Sequence, residues 1–134
     1  MSLKFYLLPK HYVFTKYLEY NKHSLLFFNE SIQNTSIIEK SKAIKLNVEY
    51  RFECRCIKLL TKTKLTDIGI SSKVSSILAS NNIPCNIVSG FENDYFFVPF
   101  KEGLKALKIL NSLSWFRLFS IHTMKFATFI YIKD

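Results

Sequence analysis

Residues 51–113, RFECRCIKLLTKTKLTDIGISSKVSSILASNNIPCNIVSGFENDYFFVPFKEGLKALKILNSL, carry the pattern from which the fold follows. The run Tyr50–Thr61 opens it as a strand. Phe52, Cys54 and Cys56 share one face by alternation, while Ile57 and Leu59 fall on the other. A strand buried on both faces, or a bulge near Cys56, accounts for that change of phase. A polar connection over 62–67 brings the chain to Thr66 or Asp67, either of which suits a helix N-cap because its side-chain oxygen accepts an orphan N–H of the first turn. Ile70, Val74, Ile77 and Leu78 then lie on one stripe at helical spacing, and Asn81-Asn82 ends the helix before Ile83-Pro84. The runs Cys85–Phe91 and Tyr95–Phe100 are rich in apolar, β-branched and aromatic residues. Glu92-Asn93-Asp94 between them is turn chemistry, so the pair predicts a hairpin. Over Lys101–Leu113, the residues Leu104, Leu107 and Leu110 are spaced to face a sheet. The order β-α-β-β-α, with one more strand supplied by the tail or the N-terminal half, is the split βαβ, ferredoxin-like plan of an α+β fold.

Working outward from that stretch, His11–Tyr17 and Ser24–Phe28 read as two strands from their aromatic and aliphatic content. Asn29 or Ser31 is placed to cap a short helix over Ile32–Ala43, with Ile37 and Ile38 on its buried side. Beyond the decisive stretch, the apolar run Trp115–Ile132 is interrupted by Arg117, His122 and Lys125, so it does not make a membrane span.

The chain has 134 residues, 49% of them hydrophobic, with three Gly and three Pro, which suits one folded domain or two small ones packed as a unit. The net charge of +9 raises nucleic acid or an anionic surface as a partner. The basic residues are spread from Lys4 to Lys133, however, and the densest group (Arg55, Lys58, Lys62, Lys64) is diluted by Leu and Thr. Binding patches are clustered, so this charge reads as solvated surface, with neither nucleic acid nor membrane expected as a partner. Cysteines at 54, 56 and 85 make an odd set, and residues 1–10 lack the apolar core of a secretory signal. Together these point to reduced thiols and a cytoplasmic location.

Catalytic chemistry finds no constellation. Cys54-Arg55-Cys56 is C-x-C rather than a C-x-x-C redox pair, and with Cys85 it supplies three thiols where a structural zinc takes four ligands. His11, His23 and His122 stand far apart with no metal-binding spacing. Gly69, Gly90 and Gly103 are isolated and build no phosphate loop. No catalytic residue, metal or cofactor is expected, and the chain reads as a non-enzyme. The acidic residues Asp67, Glu92 and Asp94 each sit at the end of an element, where capping or turn formation also explains them.

The segment LTDIGISSKVSSILASNNIPCNIVSGFENDYFFVP, residues 65–99, resembles the ACT-type regulatory domain. The likeness lies in a Gly at the helix start, the strand "IPCNIV", a turn with Asp, and "FVP" before the last helix. The chain is most similar to a small bacterial family of tandem ACT-like proteins, whose first half is divergent and opens on a P-x-x-Y-V-F segment. Pro9, His11, Tyr12, Val13 and Phe14 echo that opening, and Leu25–Phe28 followed by a short helix matches its continuation. The stretch between Tyr17 and Ser24 is shorter than the resemblance requires, and the tail from Trp115 has no counterpart.

The resemblance implies a ferredoxin-like βαββαβ fold in two tandem units. These comprise a divergent or shortened half over 1–50, an ACT domain over 51–113 and an atypical apolar tail over 114–134. It also implies a regulatory protein that binds an amino acid or similar small metabolite, pairs into a homodimer through its ACT units and transmits binding to a partner. By the same resemblance the ligand would meet Thr66, Asp67, Ile68, Gly69 and Ile70 at the strand–helix junction, Asn86, Ile87 and Val88 on the facing strand, and Asp94 in the hairpin. A ferredoxin-like nucleic-acid module with Tyr95, Phe96 and Phe97 stacking bases is the first alternative. A structural, partner-binding module with no ligand is the second.

Overall fold

The computed structural model describes residues 3–17 and 22–113, so the expected last strand or extension over 114–134 lies outside the described residues. Its strands are β1 (Phe5–Leu7), β2 (Tyr12–Tyr17), β3 (Leu26–Glu30), β4 (Gln33–Glu39), β5 (Tyr50–Leu59), β6 (Asn86–Ser89) and β7 (Asp94–Pro99). Its helices are α1 (Lys40–Lys45), α2 (Ile70–Ser80) and α3 (Gly103–Asn111), the last entered through a 3-10 turn over Phe100–Glu102. All seven strands join one antiparallel sheet in the order β3-β4-β2-β5-β7-β6, with β1 also on β5.

β5 is long enough to take two partners along one edge. Its C-terminal half pairs with β1 (Phe5 opposite Leu59, Leu7 opposite Ile57), and its N-terminal half pairs with β2 (Tyr12 opposite Cys54). Between them the N–H of Leu8 still donates to Cys56 O at 2.8 Å, just before Pro9 interrupts the ladder. The strand needed to complete β5-α2-β6-β7-α3 thus comes from the N-terminal segment. The outward edge of β1 is held by Asn111 at the end of α3, whose Oδ1 accepts from Phe5 N (3.1 Å) while Nδ2 donates to Phe5 O (3.2 Å).

β5 is buried on both faces, one of the two readings its alternation allowed. Ile57 and Leu59, with Phe96 and Val98 of β7, lie under Ile70, Val74 and Leu78 of α2 and Ala106 and Leu110 of α3. By strand alternation the same side of the sheet carries Val13 and Ile38 beneath Ala43 of α1. Cys54 and Cys56 point the other way, into a cluster with Tyr12, Ile37 and Phe97. Each fully buried side chain of this size contributes about 1.5–3 kcal/mol relative to exposure, so both layers matter to stability.

The structure corrects three local expectations. The helix expected over Ile32–Ala43 is strand as far as Glu39, and only Lys40–Lys45 is helical. Ile37 and Ile38 are adjacent, both fully buried, and sit in clusters on opposite faces of the sheet, which a strand between β2 and β3 satisfies and a surface helix does not. The irregularity in β5 falls at Phe52 (φ 53) rather than near Cys56. Leu104 is 72% exposed, because α3 turns Gly103, Ala106 and Leu110 to the sheet instead. Gly103 is demanded by space: a Cβ there would lie 2.9 Å from Arg55 Cγ. Arg55 is itself pinned by donating to Leu8 O from Nε (3.3 Å) and Nη2 (3.0 Å).

Candidate functional site

Past β5 the chain closes a turn on itself. The N–H of Asp67 donates to Lys64 O at 3.0 Å, and the N–H of Lys64 donates to Asp67 Oδ2 at 2.7 Å. The Asp67 carboxylate is therefore committed to its own turn, and neither it nor Thr66 caps α2, as the sequence had suggested. The residue preceding the helix is Gly69 in the left-handed region (φ 92), a conformation that costs glycine nothing and side-chain-bearing residues about 1–2 kcal/mol. No side chain caps α2, so the first-turn N–H groups, which have no intrahelical acceptor, are directed at the loop with the positive end of the helix dipole.

Facing this helix start is the β6–β7 hairpin, closed by Gly90 N donating to Asn93 O at 2.8 Å, with Ser89 opposite Asp94. Asp94 is only 9% exposed. Between the two segments lies a cavity of about 160 Å³. One wall is Thr63, Lys64, Leu65 and Asp67, with Gly69, Ile70, Ser71 and Ser72 at the helix start; the other is Ser89 and Asp94. Two carboxylates, one ammonium, several hydroxyls and a helix N-terminus thus surround one small space.

Of the residues expected from sequence, Asp67, Gly69, Ile70 and Asp94 line this cavity. Thr66 and Ile68 belong to the same loop but not to the lining, and Ile68 is 65% exposed. Asn86, Ile87 and Val88 lie further along β6, which reaches the cavity only with its last residue, Ser89. Ile87 packs against the core beneath α2 and α3, and Val88 against the opposite cluster. Ser71, Ser72, Ser89, Thr63, Lys64 and Leu65 were not anticipated. The adjacent hydroxyls of Ser71-Ser72, one residue beyond the junction Gly69, were the readable signal.

Elsewhere the chemistry is muted. Burial pushes the Cys54 thiol up to about 12 and Cys85 to about 11, and raises Cys56 further, so none is a thiolate at neutral pH. Among the described residues no three His, Cys, Asp or Glu side chains gather as a metal site. No helix among them is long and apolar enough to cross a membrane.

Comparison with known proteins bears on this geometry. Residues 50–112 match the family model of the ACT domain. No curated protein matches the chain. A protein of unknown function from Vibrio cholerae superposes with a TM-score of 0.72 at 24% identity, over 81% of this chain and 88% of that one. Aspartokinase III of E. coli, solved with aspartate and ADP, superposes with a TM-score of 0.56 at 15% identity, over 82% of this chain and 32% of the enzyme. The regulatory subunit of aspartate kinase from Thermus flavus gives a TM-score of 0.54 at 8% identity, over 82% and 95%. At these identities the likeness is one of fold: the chain has an ACT-like α+β fold built on an antiparallel sheet.

Proposed function

We propose that this chain is a non-catalytic regulatory module of the ACT type, which binds an amino acid or similar amphoteric metabolite between the start of α2 and the β6–β7 hairpin. The observation that carries the reading is the cavity itself. It joins the uncapped N-terminus of α2, which suits a carboxylate, to the nearly buried Asp94, which suits an ammonium group. The match of residues 50–112 to the ACT domain supports it, as does the resemblance in fold to a kinase regulatory subunit.

Two units are the reading of the topology that we favour, over 1–50 and 51–113. The order β2-β4-β3 repeats β5-β7-β6, and α1 follows β4 as α3 follows β7. The connection from β2 to β3 is too short to hold a counterpart of α2, as a shortened first unit requires. A homodimer built through the ACT units, in the cytoplasm, completes the proposal. Base stacking is disfavoured, because Phe96 and Phe97 are fully buried.

A thermal-shift screen of the free amino acids tests the reading. A ligand at a hundred times its Kd adds about 2.7 kcal/mol of stability, enough to move the transition by several degrees. The shift is expected to vanish in Gly69→Trp and in the isosteric Asp94→Asn. No response to any amino acid, or a response that both variants retain, sinks it.

A further inference from the structure

The side of the sheet opposite the helices holds a second cavity, of about 280 Å³, where β2 ends and β5 begins. Its lining includes Phe14 and Lys16 of β2, Glu30 of β3, Gln33 and Thr35 of β4, and Arg51 of β5. Three observations single it out. First, Tyr12 pairs with Cys54 but Phe14 pairs with Arg51, so β5 carries one residue more than β2 between those pairs. Counted back from Cys54 by regular alternation, Arg51 belongs on the helix side. The extra residue turns it to the helix-free side, opposite Phe14. That turn holds Phe52 at φ 53, an unfavourable conformation for an aromatic residue, kept in place by an edge-on contact with Phe14 at 5.6 Å. Second, Gln33 Oε1 is shielded from solvent and has no hydrogen-bond partner, an acceptor left waiting for a donor. Third, the rim carries both signs of charge: Arg51 lies 3.5 Å from Glu49, which also lines the cavity, and Glu30 Oε1 accepts from Thr35 Oγ1 at 2.8 Å.

We propose that this cavity is a second ligand site, for a small zwitterion. Arg51 and Lys16 receive its carboxylate, Gln33 Oε1 and Glu30 receive its ammonium group, and Phe14 receives its apolar part. The bulge in β5 is the device that brings the guanidinium to the site. The inference uses none of the residues of the cavity at α2 and stands or falls separately from it.

The test is an amide-resolved NMR titration of the full chain with each of the twenty free amino acids at millimolar concentration. At least one is expected to shift the amides of Gln33, Thr35 and Arg51. Arg51→Met, at a side chain that is 85% exposed, is expected to weaken that event about tenfold without disturbing the fold. Gln33→Leu is expected to weaken it likewise, and Asp94→Asn to leave it unchanged. Acetate and methylammonium, each carrying one of the two charges, are expected not to reproduce it. The proposal is overturned if no amino acid moves these amides, if either single ion moves them equally, or if Arg51→Met binds as the parent does.

Discussion

Asn111 performs with one side chain what a neighbouring strand would do with its backbone, offering an acceptor and a donor to the same residue, Phe5. Asn111→Ala removes both and is expected to cost on the order of 1–2 kcal/mol in urea unfolding, with faster exchange of the Phe5 amide. The thiols give a second expectation. Cys54 and Cys56 are fully buried and their ionisation is suppressed, so in native protein they should resist a thiol reagent until the chain unfolds. Fast native labelling of either would contradict their placement. His11 gives a third. Burial first, and then the Lys40 ammonium, pull its imidazole below the usual range, while its ring stacks on Phe100 at 3.9 Å. The unfolded chain takes up that proton at about pH 6.5, where the folded chain still resists it. Stability is therefore complete above that pH and falls as the pH drops through it toward the folded-state value. His11→Gln should flatten this segment of the profile. Glu39, held below the usual carboxylate range chiefly by its hydrogen bond from Lys10, adds a separate loss at more acid pH, when it is protonated.

At the scale of elements, α3 offers a contrast that composition hides. Leu104 and Leu110 are both helical leucines, yet one is 72% exposed and the other fully buried. Leu110→Ala should cost about 2–5 kcal/mol and Leu104→Ala almost nothing, as two denaturation curves would show. The spacing of leucines alone put both against the sheet. The small residues Gly103 and Ala106, which let the helix approach Arg55 and the strands, were the signal overlooked. Elements with a clean period were legible: the stripe Ile70, Val74, Leu78 marks α2, and the Glu92–Asp94 turn marks the hairpin. β4 was not, because Gln33-Asn34-Thr35-Ser36 is polar, and the burial of the Ile37-Ile38 pair depends on partners distant in sequence. The same limit applied to the cavity at α2. Gly69 and Asp94 are marked by local chemistry, but that Ser89 rather than Asn86 faces the helix start depends on how β6 lies in the sheet. The bulge at Phe52 leaves no trace in composition, since nothing in Arg51-Phe52-Glu53 favours a left-handed residue.

For the molecule as a whole, the sheet is continuous across the proposed boundary at residue 50. β5 takes β1 on one edge and β7 on the other, so a fragment beginning at β5 lacks β1 and, with it, Leu3 and Phe5, both buried in the core with α2 and α3. Residues 51–113 expressed alone are expected to show weak, non-cooperative unfolding, and a peptide spanning β1 to restore a sharp transition by binding in trans. A fragment as cooperative as the parent would show that β1 is dispensable. The seat of β1 also sets an order of events during synthesis. The ribosome releases Phe5 well before Leu59, its partner across the sheet, and longer still before Asn111, its partner at the end of α3. β1 is thus released before the strand that pairs with it and well before the side chain that holds its outer edge, and the nascent chain carries it unpaired until β5 has emerged.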